Sequence, residues 1–371
     1  MRGQWHGTFE ATNWSGKMTV EADESGGRTA GGVYLFPNDQ RFTIAVARIT
    51  PIEDARSPAP VLLHVNPVNP KTGAMVPWVE IPEVFPNMVF GTVIQATVEW
   101  TDATMDVSWH SNIGTQGRGT LSRTDATRPS ALPAQQMDWK QFKEHVTQLD
   151  NRRYIFRGQR EPWRLRSHFH RNGRYDLMRY TNEDMSLLHR HLSARTRHFF
   201  NRKDSDENGA FLHLAQHHGF PTPLIDWSYS PFVAAFFAYQ KIRNTEAKEA
   251  RENRIRIFQF DGQRWCADLK QLQVTAPAHP HFSLMEFMAI ENERMIPQQA
   301  LSSLTNVDDV ETYIESSEKQ FGHQYLTAID LPVREREMVM RELALMGITA
   351  GSLFPGLDGA CEELRERLFP S

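Results

Sequence analysis

Residues 214–239 read LAQHHGFPTPLIDWSYSPFVAAFFAY, and this stretch decides how the second half of the chain folds. Gly219 and Pro221 mark a turn, and the apolar residues from Leu224 to Trp227 predict a short buried strand. Pro231 suits the first position of a helix, and the Val, Ala and Phe residues after it predict that this helix is buried. The stretch therefore predicts a strand that runs almost directly into a buried helix.

Polar side chains lie within the same apolar stretch. Asp226 interrupts the predicted strand, and Ser228 or Ser230 can accept hydrogen bonds from the free N–H groups of the helix's first turn. Such a helix start is a common binding site, because its unpaired N–H groups attract anions. His217 and its neighbour His218, together with Asp226, also suit the base and the orienting carboxylate of a hydrolase or nuclease. We expect no bound metal.

Composition narrows the class of protein. The 371-residue chain has 40% hydrophobic residues and no apolar run of membrane-spanning length, and its length predicts about two domains. The opening MRGQWHGTFE lacks the basic region and apolar core of a signal peptide, so we expect a cytoplasmic protein that does not enter a membrane. Cys266 and Cys361 cannot form a disulfide framework, which agrees with a reduced compartment.

Charge is distributed unevenly along the chain. Residues 151–203 contain 14 Arg and Lys against 4 Asp and Glu, although the whole chain has a net charge of −4. Thirteen of these cations are Arg, whose planar fork of donors matches pairs of phosphate oxygens. This segment indicates contact with a phosphate-bearing ligand or nucleic acid; a solvated helix face is the alternative.

Two domains are predicted on either side of a linker. Residues 1–123 show short strands broken by Gly, Pro, Asn and Asp, which is typical of an all-β barrel or sandwich. Residues 124–137 include the run TDATRPSALPAQQ, which loses periodicity and is rich in Pro, Ser and Ala, so they form the predicted linker. Residues 138–371 mix helices and strands without strict βαβ alternation, which predicts an α+β domain.

Arg157 is the most informative single residue of the predicted α+β domain. It lies in the apolar run Tyr154–Gln159, a short predicted strand, where an unpaired guanidinium would be costly. It therefore needs an anionic partner. The carboxylate of Asp226 is one candidate, and a ligand phosphate is the other.

Several motifs of the second domain occur one after another along the chain: YIFRGQ at 154–159, Trp163 and Leu165, AQHHGFPTPLIDW at 215–227, Asn292, Arg294, Gln298-Gln299, Gly347-Ile348 and SLFPGLDG at 352–359. Together and in this order they resemble the FRG domain, a bacterial and phage family named after its Phe-Arg-Gly signature. The resemblance covers about residues 140–370. Pro223 stands where the family usually has Arg, and Ala300 stands where a Gly usually follows a glutamine pair.

A second, broader resemblance concerns the order of polar motifs. An Arg-Gly at a strand end, then Ser228-Tyr229-Ser230 before a helix, then Glu291-Asn292-Glu293, is similar to the Arg, Ser-Thr-Ser, Glu-x-Glu order of ADP-ribosyltransferases. The fold would then be ADP-ribosyltransferase-like, and NAD would be the substrate.

This resemblance implies a role for each motif. Arg157, with Gly158 and Gln159 beside it, would bind the NAD pyrophosphate. Ser228 and Ser230, with Tyr229 between them, would hold the Arg and the nicotinamide ribose. Either Glu291 or Glu293 would stabilise positive charge as nicotinamide leaves, since that transition state is oxocarbenium-like. Gln298 and Gln299 are the alternative occupants of the carboxylate's place.

Three function classes remain open from the residues. The first is transfer of ADP-ribose to a protein or nucleic acid, or plain NAD cleavage, as in a bacterial toxin or phage-defence effector. The second is a non-catalytic module that binds nucleic acid or protein through the Arg-rich segment 151–203. The third is a hydrolase or nuclease that uses His217 and Asp226. The residues leave the acceptor and the oligomeric state undetermined.

Overall fold

The N-terminal part of the chain forms a closed, eight-stranded antiparallel barrel. The computed structural model describes residues 1–71, 73–123, 125–249 and 252–369. Each barrel strand pairs with the next one, and the last pairs with the first. This confirms the all-β prediction and selects the barrel over the sandwich. The strands are β1 Gly3–Ala11, β2 Trp14–Ser25, β3 Arg28–Pro37, β4 Ala45–Glu53, β5 Ala59–Pro67, β6 Val93–Trp100, β7 Thr104–Ser111 and β8 Gln116–Ser122.

Side chains fill the inside of the barrel. In β7 every second residue is buried, so Met105, Val107 and Trp109 join the interior cluster together with Trp5. The interior leaves a free volume of about 30 Å³, which is too small for an organic ligand. Trp5 and Trp109 therefore pack the core.

The second part of the chain is built on a seven-stranded sheet. Its strand order is β13-β14-β11-β10-β12-β15-β9, with β9 parallel to β15 and the other neighbours antiparallel. The strands are β9 Ala134–Gln136, β10 Tyr154–Gln159, β11 Leu224–Ser228, β12 Arg254–Asp261, β13 Phe282–Met285, β14 Ala300–Thr305 and β15 Leu326–Pro332.

Helices cover both faces of this sheet, which makes the region a mixed α+β domain. One core packs helices α2, α7 and α11 against β12 and β15, and another packs α9 and α10 against the opposite face. The helices are α1 Ile81–Val84, α2 Trp139–Thr147, α3 His168–Arg171, α4 Leu177–Arg179, α5 Met185–Leu192, α6 Ser205–His217, α7 Pro231–Tyr239, α8 Asn244–Glu249, α9 Gly262–Asp268, α10 Val310–Phe321, α11 Arg336–Leu345, α12 Ala350–Leu353 and α13 Leu357–Leu368.

Two segments differ from simple sequence expectations. The periodicity of residues 184–200 predicts one amphipathic helix, but α5 ends at Leu192. The chain then turns back, so that Phe200 is buried against Phe211 of α6. Within the predicted linker, β9 joins the edge of the second sheet, because its backbone pairs with residues 328–330 of β15.

The barrel contacts the second domain through an apolar cluster that includes Phe36 and Met178, and through ion pairs and hydrogen bonds. Arg48 of the barrel makes two hydrogen bonds of 2.8 and 2.9 Å to the carboxylate of the fully buried Asp176. Asp23 accepts a 2.7 Å bond from Arg174, and Glu21 accepts one from the backbone N–H of Leu177. The interface thus fixes residues 174–177. This segment follows α3, whose last residue is Arg171.

Candidate ligand-binding cleft

A cleft of about 1370 Å³ lies above β10 and β11. Its walls come from α6, α7, the loop before β14, and the C-terminal helix α13. Residues proposed from sequence line it at Arg157, Gly158, Gln159, His217, Asp226, Ser228 and Gln298. The chain topology therefore brings together motifs that are far apart in sequence.

Arg157 lies at the base of the cleft as a cation without an acidic partner. One of its guanidinium nitrogens donates a 2.7 Å hydrogen bond to the backbone carbonyl of Asp226. Among the described residues it forms no ion pair. Burial, together with the nearby Arg171, lowers its pKa to about 10, and the Asp226 carboxylate opposes this shift. Arg157 remains charged at neutral pH and is suited to bind an anion.

Other cations give the cleft a positive character. Arg171 and Arg294 line it, and neither forms an ion pair within the part of the chain that the structure describes. The Arg294 guanidinium lies 5.2 Å from the centre of the Phe354 ring. Three further cleft arginines are neutralised: Arg160 pairs with Glu246, Arg336 with Glu366, and Arg365 with Glu362.

The two serines organise the backbone around Arg157. Ser228 is opposite Phe156 in the pairing of β10 with β11, so it lies on the strand next to Arg157. Its hydroxyl donates a 2.7 Å hydrogen bond to the carbonyl of Gln298 and accepts one from the N–H of Ser230. Ser230 in turn caps α7 by accepting from the N–H of Val233. Their hydroxyls thus fix the loop before β14 and the start of α7.

Gly158 allows α7 to approach β10 closely. A Cβ atom at this position would lie 1.8 Å from the carbonyl oxygen of Ala234, which is backbone and cannot rotate away. Gln159 is buried, and its amide donates a 3.2 Å hydrogen bond to the carbonyl of Trp163. Both residues line the cleft. Gly158 also lets α7 pack closely on β10, and Gln159 joins β10 to the segment that follows it.

Asp226 is the centre of a hydrogen-bonded cluster in the cleft wall. Its Oδ1 accepts a hydrogen bond from the amide of Gln216 and lies 3.9 Å from Nε2 of His213. The other ring nitrogen of His213 is 3.0 Å from the amide nitrogen of Asn292. His213 and Asn292 are both buried, whereas the Asp226 side chain is 53% exposed.

Sequence reasoning missed His213. It lies four residues before His217, and this spacing places both histidines on one face of α6. Burial lowers the pKa of His213, and Asp226 opposes the shift. Burial, then Arg294, lowers the pKa of His217 to about 4, so His217 is neutral at pH 7.

Five of the proposed motif residues are not among those that line the cleft. Glu291 is exposed, and its carboxylate accepts a hydrogen bond from the N–H of His198. Glu293 and Gln299 are exposed as well. Tyr229 points its hydroxyl at Glu286, at 2.6 Å. Ser230, the helix cap, is likewise outside the lining.

No cluster of three or more His, Cys, Asp or Glu side chains that could hold a metal ion occurs in the described ranges. Within those same ranges, no helix has the length and apolar character needed to cross a bilayer.

The region around Arg157 matches a known family of protein domains. Residues 152–247 match the FRG domain. The chain contains an FRG domain. The match runs from just before β10 into α8, and is shorter than the range 138–371 expected from the motifs. It includes Arg157, Ser228, Asp226 and His213, which form much of the cleft.

Comparisons with curated proteins and with solved structures give no information about function. No curated protein matches the chain. Solved structures similar to it include a redesigned β-barrel, mFAP1, bound to DFHBI, with 11% identity, 33% of this chain and 94% of that chain covered, and a TM-score of 0.23. A second redesigned β-barrel has 13% identity, with 33% and 91% covered and a TM-score of 0.22. A de novo designed fluorescence-activating β-barrel has 16% identity, with 33% and 94% covered and a TM-score of 0.21.

Proposed function

We propose that the FRG domain binds NAD in this cleft and cleaves the bond between nicotinamide and ribose, passing ADP-ribose to water or to an acceptor. One arrangement carries the proposal. Arg157 on β10, Ser228 at the end of β11 and Gln298 just before β14 meet on three neighbouring strands. These are the Arg, Ser and third-motif segments whose order resembles that of ADP-ribosyltransferases.

The size of the cleft supports a large ligand. Its volume of about 1370 Å³ exceeds the range of about 300–1,000 Å³ that is usual for small-molecule sites. A dinucleotide and part of an acceptor can occupy it together.

The cations of the cleft suit the pyrophosphate of NAD. Arg157 has guanidinium donors left over after its bond to the Asp226 carbonyl, and Arg171 and Arg294 line the same space. Hydrogen bonds from guanidinium to phosphate are charge-assisted and stronger than neutral ones. We assign the pyrophosphate to Arg157, with Arg171 and Arg294 as additional cations.

The third motif is assigned to Gln298 in place of Glu291 or Glu293. Gln298 lines the cleft, its backbone carbonyl binds Ser228, and its amide nitrogen donates to the carbonyl of Leu353 at 3.0 Å. Its side-chain oxygen accepts no hydrogen bond from any described residue, so it is available to a ribose hydroxyl. Glu291 and Glu293 are exposed and precede Gln298 in the same loop.

A basic surface beside the cleft suits a polyanionic acceptor. It consists of Arg190, Arg195, Arg197 and Lys203, which are exposed and form no ion pair with any described residue, and of Phe199, whose side chain is 72% exposed. Its backbone joins the cleft loop where the N–H of His198 binds Glu291, next to Asn292. Cations with an exposed aromatic ring are typical of single-stranded nucleic-acid binding. We therefore assign a nucleic-acid acceptor to this surface.

An enzyme that consumes NAD would act in the cytoplasm and would suit a bacterial toxin or phage-defence effector. The direct test is titration of the full chain with NAD by calorimetry, together with chromatography of released nicotinamide. We expect binding and a slow release of nicotinamide that increases when an acceptor is added. If the protein neither binds nor consumes NAD, the non-catalytic binding module becomes the better explanation.

A further inference from the structure

Three side chains in the cleft wall form a polar chain to which the ADP-ribosyltransferase resemblance assigns no role. The amide nitrogen of Asn292 is 3.0 Å from Nδ1 of His213, and Nε2 of His213 is 3.9 Å from Oδ1 of Asp226. All three residues line the cleft. His213 and Asn292 are buried, so only the carboxylate at the end of the chain reaches open space.

The order of donors fixes the tautomer of His213. Because the Asn292 amide donates to Nδ1, the proton of the neutral imidazole lies on Nε2, which faces Asp226. The lowered pKa of His213 agrees with this neutral form. The 3.9 Å gap is too long for a direct hydrogen bond, but an oxygen atom can lie within hydrogen-bond distance of both groups.

A second unpaired group lies at the other end of the same polar chain. The side-chain oxygen of Asn292 is buried and finds no hydrogen-bond partner among the described residues, although Asn292 is 97% buried at the cleft wall. Buried polar atoms are nearly always paired, and an orphan in a cleft indicates a missing partner. A bound hydroxyl group or water molecule would supply it.

We infer that Asp226, His213 and Asn292 form a site for a neutral oxygen nucleophile, either water or a hydroxyl group of the acceptor. This inference rests on the proposed cleavage of NAD. Asp226 touches the nucleophile and accepts its proton; His213 and Asn292 are positioning residues. The N–H of His213 orients the nucleophile oxygen, and the second lone pair of that oxygen remains free to attack.

The position of Asp226 agrees with this role. It is two residues from Ser228 on β11, so both side chains face the same side of the sheet about 7 Å apart. Arg157, the proposed pyrophosphate ligand, binds the main chain of Asp226 itself. The carboxylate is therefore close to the ribose that adjoins the pyrophosphate.

The reaction balances without any further reactant. The bond between ribose C1′ and the nicotinamide nitrogen breaks, and its electron pair neutralises the nicotinamide ring. A new bond forms between C1′ and the nucleophile oxygen, whose proton passes to Asp226 and then to solvent. Water gives ADP-ribose, and an alcohol gives its ADP-ribosyl O-glycoside, each with nicotinamide and one proton.

The surrounding charge explains the preference for a neutral nucleophile. Burial, together with the neighbouring Arg171, lowers the pKa of Arg157, so these two arginines lie close enough for a further cation beside them to be repelled. A guanidinium or ammonium acceptor would meet this repulsion, whereas water and alcohols would not.

The test compares Asp226→Asn with Asp102→Asn, an exposed carboxylate of the barrel that is not among the residues lining the cleft. Nicotinamide release is measured at several NAD concentrations to separate kcat from KM. We expect Asp226→Asn to lower kcat by about 100-fold or more while KM changes less than threefold, because proton transfer contributes on that scale. Asp102→Asn should behave as wild type. Sodium formate should restore part of the rate to Asp226→Ala, since a small carboxylate can take the vacated place.

Methanol and agmatine probe the class of nucleophile. Methanol should yield methyl ADP-ribose at the expense of free ADP-ribose, and agmatine, a guanidinium compound, should yield no adduct. His213→Gln should lower kcat about tenfold with little change in KM, because the amide keeps a donor near Asp226.

The outcomes separate this inference from the proposed function. If wild type releases nicotinamide and Asp226→Asn does so equally fast, or if agmatine is the preferred acceptor, the nucleophile site is wrong while NAD cleavage stands. If wild type neither binds nor cleaves NAD, both are wrong.

Discussion

The guanidinium of Arg157 donates its 2.7 Å hydrogen bond to the main-chain carbonyl of Asp226 and not to the Asp226 carboxylate. The sequence leaves the Asp226 carboxylate and a ligand phosphate as alternative partners of this half-buried cation. Because the bond uses the main chain, the guanidinium and the carboxylate are held close together but remain separately available. The cation can bind phosphate while the carboxylate serves a neighbouring hydroxyl group.

Replacing Arg157 should weaken NAD binding. Arg157→Ala deletes a charge-assisted contact of about 1.5–3 kcal/mol, so Kd should rise by about 10- to 150-fold in calorimetry. Arg157→Lys should lose less, because it keeps the charge without the fork of donors. Arg341→Ala, which removes an exposed cation outside the cleft lining, is the matched control. Unchanged affinity in Arg157→Ala would place the pyrophosphate elsewhere.

The two glutamates and Gln298 should respond differently to substitution. Glu291→Gln and Glu293→Gln should leave NAD turnover within about threefold of wild type, because both side chains are exposed and outside the cleft lining. Gln298→Ala should reduce kcat by about 10- to 100-fold through loss of a preorganised polar contact. A large loss in either glutamate variant, with Gln298→Ala fully active, would return the third motif to Glu-x-Glu.

Local patterns predicted most of the elements around the site. The strand β10 spans the predicted Tyr154–Gln159, and Ser230 caps α7 as its position before Pro231 indicates. These features depend on alternation and capping, which are local. The boundary near residues 123–138 is also a local composition signal, and it stays a prediction.

The parts that sequence could not predict depend on tertiary contacts. The hydroxyls of Ser228 and Ser230 form hydrogen bonds with backbone groups, although the sequence of a Ser-x-Ser motif suggests hydroxyls that are available to a ligand. His213 becomes part of the cleft only because α6 lies beside β11 and the loop that carries Asn292. The i, i+4 spacing to His217 was visible in the sequence, but spacing alone does not say which wall a helix face lines.

Gly158→Ala should destabilise the FRG domain. The added methyl group would meet the Ala234 carbonyl at 1.8 Å, so α7 must move away from β10. Overpacking of this kind costs about 1–3 kcal/mol, which should appear as a lower midpoint in urea denaturation. Gly32→Ala is the control, because its added Cβ would meet only the Tyr34 side chain, at 3.6 Å or more, and should lower the free energy of unfolding less. Gly26→Ala is unsuitable as a control because Gly26 has a positive φ. Equal stability of Gly158→Ala and wild type would contradict this packing.

The basic surface should bind single-stranded nucleic acid with a marked dependence on salt. Arg195→Gln combined with Arg197→Gln should weaken binding of a labelled single-stranded RNA in fluorescence anisotropy. The slope of log affinity against log salt should fall by about 1.4, since each lost phosphate contact accounts for about 0.7. The matched control is Arg334→Gln combined with Arg341→Gln, which also removes two exposed arginines. If both double variants bind alike, the acceptor docks elsewhere, and a protein acceptor becomes the alternative.

Acid should destabilise the folded protein through two buried histidines. Burial lowers the pKa of His170 to about 3 and that of His281 to about 4, from an unfolded value near 6.5. Below pH 6.5 these two histidines bind protons in the unfolded chain but stay neutral in the folded one. The free energy of unfolding therefore falls as pH drops towards 4. The loss is at most about 1.4 kcal/mol per pH unit for each histidine, and it is absent above pH 7.

Urea denaturation at pH 7 and pH 5 measures this loss. His281→Gln should reduce the pH dependence, because it removes one group that must stay neutral in the fold, even if it lowers stability at pH 7 by deleting the 2.7 Å contact with the Val274 carbonyl. The control is His110→Gln, which removes an exposed histidine ring from the barrel surface and should keep the wild-type dependence. A pH dependence that is identical in His281→Gln and wild type would show that His281 takes up its proton without opening the fold.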